Sequence, residues 1–272
     1  MYKKIEPNNQ IFESAEFQKD KYKFNLIFKN LPSPELELYS DEENYIICRG
    51  AKKYPTWIWT KDNFDRRKIE ELEELIKMYL TGSEKDKFTC KKELYDILKE
   101  RKFEELNLDD YFEMGFLTCK ETQKPKNCDG VLSKPNENDK EILTKYWYDD
   151  NMEMNGVDPI TLDQAKKDVE FFISDDKFYV LRNTENKIVC MASYGVTNEQ
   201  AKINHVYTPV EERKKGYAAN LIYLMTNDIL EKGLVPLLYT DYNYIPSNKA
   251  YINAGYEDKG ILINFSCSKK KG

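Results

Sequence analysis

The sequence predicts an α/β protein: a C-terminal mixed sheet flanked by helices, and a smaller N-terminal α/β domain before it. Three observations lead there. Beyond residue 137, short apolar runs alternate with segments whose apolar residues recur at helical spacing. A polar stretch over 121–140, broken by Pro125, Gly130 and Pro135, reads as a linker. The 272 residues, 40% apolar with 20 Tyr and 13 Phe, supply enough core for one large domain or two ordinary ones. The expected domains are therefore 1–125 and 131–272, with the boundary near Gly130.

In the N-terminal part, 45–48 and 56–59 read as strands, with Trp57 and Trp59 on one face as core or interdomain contacts. Residues 66–80 form an amphipathic helix carrying Ile69, Leu72, Leu75, Ile76 and Tyr79. A second helix is expected from Thr89 through Leu94, Ile97 and Leu98, and a strand over 115–119. This part carries no chemical motif.

The C-terminal part orders itself more fully. Asn138 is placed to cap a helix with the stripe Ile142, Leu143, Tyr146 and Trp147. Thr161-Leu162-Asp163-Gln164 is a capping box ahead of Ala165, Val169 and Phe172. Strands follow over 177–182, 188–196 and 201–208, the first two joined by a hairpin turn at 183–187. A helix from Gly216 buries Leu221, Leu224, Met225 and Ile229 and stops at Gly233. Residues 235–240 make a buried strand, Ser247 caps a short helix ending at Gly255, and 260–265 make the last strand.

Charge and residue usage narrow the function. The balance of 42 Lys and Arg against 48 Asp and Glu gives −6, with both signs interspersed, which speaks against nucleic-acid binding. The opening residues carry charges without an apolar segment behind them, and the uncharged run over 188–198 is too short for a bilayer, so no membrane partner and a cytoplasmic location are expected. Six cysteines show no C-x-x-C pair and no zinc spacing, so they are expected to be reduced and mostly buried. A single histidine, His205, argues against a metal site and leaves at most one His-based triad. The Lys269-Lys270-Lys271 tail reads as solvated.

Chemistry concentrates in Val206-Tyr207-Thr208-Pro209-Val210-Glu211-Glu212-Arg213-Lys214-Lys215-Gly216-Tyr217-Ala218. An apolar strand meets a loop with three consecutive cations, and a glycine then opens a helix. Such a helix start leaves backbone N–H groups unmatched and presents a positive dipole end, while glycine lets a phosphate approach. The Arg-x-x-Gly-x-Ala core after a strand resembles the acyl-CoA signature of the GNAT N-acetyltransferase superfamily. A second stretch, Ser247-Asn248-Lys249-Ala250-Tyr251-Ile252-Asn253-Ala254-Gly255-Tyr256, resembles the late motif of the same superfamily. The resemblance covers about half the chain, 131–265, and leaves open whether the N-terminal domain is a degenerate second unit of that kind. There are two departures: Ala218 stands where Gly is commoner, and the loop before Arg213 is one residue longer than in many members.

The resemblance implies an N-acyltransferase using acetyl-CoA as acyl donor and a small-molecule or peptide amine as acceptor, with no metal. It implies that N–H groups of Arg213, Lys214, Lys215, Gly216, Tyr217 and Ala218 hold the pyrophosphate, with Lys214 and Lys215 adding charge. Backbone groups of Val206, Tyr207 and Thr208 would pair with the pantetheine amides as in strand addition. Asn248 would contact the same arm, and the phenol of Tyr251 would protonate the leaving thiolate. The base is left open among His205, Glu199, Asp241 and Tyr242. Cys190, mid-strand among apolar residues, is expected to be buried, not nucleophilic. The rival expectation is a non-catalytic CoA-binding or protein-interaction module on the same fold. Acidic clusters such as Glu70-Glu71 read as a solvated helix face. The oligomeric state is not legible.

Overall fold

The computed structural model describes residues 2–80, 86–101, 106–126, 129–154 and 159–269. The chain forms two compact units. The first comprises Met1–Phe116, Asp241–Asn243 and Lys259–Gly272, and the second Leu117–Thr240 and Tyr244–Asp258. This division differs from the expected 1–125 and 131–272, because the last strand packs in the first unit.

In the first unit the elements are β1 (Lys3–Lys4), α1 (Ala15–Asp20), α2 (Asn25–Asn30), β2 (Glu37–Ser40), β3 (Tyr45–Arg49), β4 (Thr56–Thr60), α3 (Ile69–Tyr79), β5 (Asp86–Lys91), α4 (Lys92–Glu100) and β6 (Leu106–Thr118). The final strand of the chain, β12 (Glu257–Lys269), joins them, giving the order β1-β2-β3-β4-β5-β12-β6. Strands β1 to β4 pair antiparallel in succession, and β4 and β5 are parallel across α3. Strand β12 runs antiparallel to β5, with Leu262 opposite Lys91 and Cys267 opposite Asp86. One core layer gathers Leu72, Leu75 and Ile76 of α3 and Leu94 and Leu98 of α4 against Ile58, Phe88, Ile263 and Phe265. The opposite face holds aromatics: Trp59 meets Phe17 at 5.2 Å and Trp57 meets Phe24 at 6.1 Å between ring centroids. The two tryptophans do share a face, as the alternation requires.

One expectation fails in this unit, and another is met by a longer element. Thr89 is not a helix start: it lies in β5, and α4 begins three residues later at Lys92. The strand placed at 115–119 is the end of the much longer β6.

In the second unit the order along the chain is β7 (Val131–Ser133), α5 (Lys140–Glu153), α6 (Leu162–Ser174), β8 (Phe178–Arg182), β9 (Ile188–Thr197), β10 (Gln200–Tyr207), α7 (Tyr217–Glu231), β11 (Val235–Asp241) and α8 (Ile245–Asn253). The strands lie in the order β11-β10-β9-β8-β7, antiparallel except for the parallel pair β10 and β11. Thus both units run the same course: a strand, two helices, three antiparallel strands, a helix, a strand parallel to the third, and a helix. The stretch expected to be linker contains β7, and Asn136 rather than Asn138 supplies the capping side chain ahead of α5. Thr161 caps α6 through Gln164, as the capping box predicts.

The sheet of the second unit has a layer on each side. Leu221, Ile222, Met225 and Ile229 of α7 pack on Ala192, Ala201, Ile203 and Leu238, together with Tyr251 of α8. Leu143, Tyr146 and Trp147 of α5 and Val169 of α6 pack on Phe178, Val180, Met191 and Tyr207. Among the described residues no helix is long and apolar enough to cross a membrane. Cys48, Cys90, Cys119, Cys190 and Cys267 are buried free thiols, while Cys128 and two of the tail lysines, Lys270 and Lys271, lie outside the described residues.

Candidate active site

The site is built where β10 leaves β11. Their parallel register runs from Gln200 opposite Val235 to Ile203 opposite Leu238 and goes no further, although β10 continues to Tyr207 and β11 to Asp241. The cause is a bulge. Asn204 faces Ser193 on β9 while Tyr207 faces Met191, so β10 carries one extra residue, and His205 takes a left-handed φ of 53°. The backbone from His205 to Thr208 is thereby turned out of the parallel ladder. Val206 joins the α7 layer and Tyr207 the α5 layer.

After Pro209 a 3-10 turn, Val210–Glu212, leads into the cationic loop. Gly216 sits at the N-cap of α7 with φ 91°, a conformation that other residues adopt only under strain. It brings no capping side chain, and the first turn of α7 has no acidic residue. The N–H groups that start this helix therefore lack both of the usual partners. Lys214 also has a left-handed φ, 65°, and is exposed.

The other two cations of the loop are engaged by the protein. Arg213 donates from Nε to the Thr208 carbonyl at 2.9 Å and from Nη2 to both Glu153 oxygens at 2.8 and 2.7 Å. Its guanidinium also lies 5.7 Å from the Tyr207 ring centroid. Lys215 bonds Glu212 at 2.7 Å, and Lys187 bonds the other oxygen of that carboxylate at 2.9 Å. Arg213 thus ties the loop to the end of β10 and to α5, and Lys215 faces a carboxylate.

Glu212 is buried, and the bonds from Lys215 and then Lys187 hold its carboxyl below the ordinary glutamate range. A carboxyl lowered in the fold contributes stability above its unfolded value, near pH 4.3, and loses it as pH falls through the folded value. Glu212→Gln is therefore expected to cost roughly 1–3 kcal/mol at pH 7 and almost nothing near pH 3, as paired urea melts at the two pH values would show. An equal loss at both would mean that the charge of Glu212 holds nothing.

Helix α8 brings in Tyr251 and Asn248, three residues apart on one face. The expected cap is wrong: Ser247 lies inside the helix, which starts at Ile245 with Pro246 in its first turn. Ser247 instead links α8 to β11, with its Oγ 3.0 Å from Thr240 Oγ1. Gly255 ends the helix with φ 101°, and a Cβ there would lie 2.6 Å from the Glu121 carbonyl and the Gln123 nitrogen, so only glycine fits. Tyr256 follows, its ring 6.2 Å from Tyr251 and its hydroxyl 2.9 Å from Thr226. This end fixes the placement of Tyr251, which is 8% exposed. Burial, then the nearby Asp150 and Cys190, push its phenol above the ordinary tyrosine value.

Cys190 is fully buried, its thiol pushed up to about 12 by burial, and Thr208 Oγ1 donates to its sulfur at 3.2 Å. A thiol held protonated in this way is a poor nucleophile. Two acids escaped the sequence analysis: Asp150, 2.8 Å from His205 Nδ1, and Glu153 on Arg213. A signal for Asp150 was present, because it falls on the apolar stripe of α5, one turn beyond Tyr146 and Trp147, where a carboxylate is out of place.

The corresponding helix start in the first unit is different. The residues before α3 are Asp65-Arg66-Arg67-Lys68, without glycine. Asp65 caps the preceding turn, and Glu70 and Glu71 occupy the first turn of α3, with Lys68 3.4 Å from Glu71. Carboxylates of the chain itself already lie where an anion would sit. Lys91, the last residue of β5, is buried between Asp20 at 2.5 Å and Asp62 at 2.8 Å.

No protein-family model matches the sequence, and no curated protein matches it. Solved structures do match. An acetyltransferase of the GNAT family from Colwellia psychrerythraea is 11% identical with a TM-score of 0.60, over 98% of this chain and 99% of that one. A GCN5-related N-acetyltransferase from Sphaerobacter thermophilus is 12% identical with a TM-score of 0.65, over 99% and 95%. Another from Kribbella flavida is 12% identical with a TM-score of 0.56, over 95% and 97%. The likeness spans nearly the whole chain and does not stop near Val131, so the resemblance is wider than the C-terminal half that the motifs suggested. Over nearly its full length, the chain has the mixed α/β fold seen in GNAT acetyltransferases.

Proposed function

We propose that the chain is an N-acyltransferase that passes an acetyl group from acetyl-CoA to an amine by direct attack, and that its second unit holds the donor. The observation that carries this is the conjunction of two features at one end of β10: a strand released from its parallel neighbour and an uncapped, acid-free helix start opened by a left-handed glycine. The first suits an extended amide-bearing arm such as pantetheine, and the second suits a pyrophosphate.

In this assignment the N–H groups from Gly216 to Ala218 bind the pyrophosphate, and Lys214 is the loop cation placed to add charge. Arg213 and Lys215 shape the loop through Glu153, Thr208 and Glu212 and do not face the phosphates. Val206 and Tyr207 present backbone to the pantetheine amides. The Thr208 carbonyl already accepts from Arg213, so its share falls to the N–H. Asn248 contacts the same arm. Tyr251, kept protonated by burial, gives its proton to the departing thiolate. The protein positions the two substrates and needs no covalent intermediate.

Acetyl-CoA is expected to raise the melting temperature of the protein, by about 2.7 kcal/mol of added stability at a hundred times Kd. Gly216→Glu should abolish that shift, because it strains a left-handed residue and puts a carboxylate in the phosphate seat. Differential scanning fluorimetry with millimolar acetyl-CoA tests both, and a parent protein with no shift would overturn the assignment. A screen of amines read by free thiol release then separates an enzyme from a module that binds CoA and transfers nothing.

A further inference from the structure

His205 is the one histidine of the chain. Strict alternation from Ala201 and Ile203, both in the α7 layer, would turn residue 205 into that layer as well. The bulge reverses this. With His205 as the extra residue, its ring passes to the α5 side and lies 4.1 Å from the Trp147 ring, centroid to centroid. Its Nδ1 is 2.8 Å from Asp150 Oδ2, and Asp150 is 7% exposed. After burial, the charge of the same carboxylate also helps raise the Tyr251 phenol. The ring therefore meets a buried acid at the point where β10 leaves β11. A left-handed residue that is not glycine is tolerated best as His, Asn or Asp, and such strain collects at functional sites.

We propose that His205 takes the proton from the attacking amine, with Asp150 as the positioning residue that keeps the ring proton on Nδ1 and leaves the Nε2 lone pair for the substrate. This rests on the acyltransferase assignment above. As the amine nitrogen bonds to the thioester carbonyl carbon and the C–S bond breaks, Nε2 receives the amine proton and Tyr251 gives one to the sulfur. Exchange with water then restores a neutral imidazole and a neutral phenol. The other titratable groups here are Asp149 and Glu153 of α5, Tyr207 of β10, Cys190 of β9, Tyr251 of α8 and Arg213 of the loop. Burial lifts the thiol and both phenols above their ordinary ranges.

The test uses the full-length chain. Nitrogen-15 spectra of the lone imidazole should show the neutral ring protonated on Nδ1, and Asp150→Asn should redistribute the proton toward Nε2. Thiol release from acetyl-CoA is then followed with benzylamine as acceptor and with water alone. His205→Asn keeps a residue that accepts the left-handed backbone and a donor toward Asp150 but removes the basic nitrogen. It should retain the acetyl-CoA-induced stabilisation and lose roughly 10²–10⁴-fold in rate at pH 7. With benzylamine the deficit should shrink as pH rises and free amine accumulates. In the parent, kcat/KM should show an acid limb that vanishes in His205→Asn and moves in Asp150→Asn. An unchanged acid limb in His205→Asn, or a parent ring protonated on Nε2, would overturn the base assignment and leave the donor site standing. A parent that takes no acetyl-CoA would end both.

Discussion

Tyr251→Phe is expected to bind acetyl-CoA as the parent does and to turn over roughly 10²–10⁴ times more slowly, the usual range for a lost general acid. The ring stays in place, so its packing in the α7 layer and its contact with Tyr256 survive. Only the proton is lost, and the thiolate must then leave charged or take a proton from water. Because burial and Asp150 push the phenol upward, the parent acid stays protonated well past neutrality. Any alkaline limb that Tyr251 sets in kcat should therefore lie above the ordinary tyrosine value and disappear in the variant. The measurement is kcat under conditions where chemistry is rate-limiting, together with acetyl-CoA affinity by fluorimetry. A Phe variant with parental kcat would make Tyr251 an ordinary core aromatic, whereas loss of acetyl-CoA binding would point to a packing role.

The difference between what could and could not be read in advance follows the range of the interaction. Helix α7 was legible because its signals are local: Gly216 at one end, Gly233 at the other and an apolar stripe between. The same holds for Thr161 ahead of α6 and for Gly255 with Tyr256 after α8. In the first unit α1 and α2 have only six residues each, too few for a period to emerge, and β5 reads Asp-Lys-Phe-Thr-Cys-Lys, whose flanking lysines run straight into α4. The bulge was invisible for another reason. It is a count of residues on β10 against residues on β9, and nothing within 200–208 announces it. The consequence was large, since that one extra residue decides which face His205 occupies and so whether it meets Asp150. The cationic loop was legible as a helix start opened by glycine, but not which of its cations the protein holds for itself. That depended on Glu153, sixty residues from Arg213 in sequence.

Residues 1–125, the domain expected from the linker, should fail to fold when expressed alone, and joining 257–269 to them through a flexible linker should restore a cooperative unit. Strand β12 pairs with β5 over six positions, from Leu262 opposite Lys91 to Cys267 opposite Asp86. Its Ile263, Phe265 and Cys267 are 0%, 2% and 0% exposed and belong to the same core layer as Leu72, Leu75 and Leu94. Phe265 stacks on Phe88 at 5.5 Å and meets Tyr95 at 5.3 Å. Burying one such side chain contributes about 1.5–3 kcal/mol, so losing the strand removes an amount comparable with the 5–15 kcal/mol that holds a domain together. It also leaves β5 with an open ladder, which invites association. In the intact chain, Phe265→Ala alone should cost about 3–5 kcal/mol, the range for emptying a buried aromatic site. Its effect should appear as faster proteolysis within 2–116, a stretch more than a hundred residues from the substitution. A soluble 1–125 fragment with a sharp thermal transition, or a Phe265→Ala protein cut first elsewhere, would show that β12 only lies against a unit already stable without it.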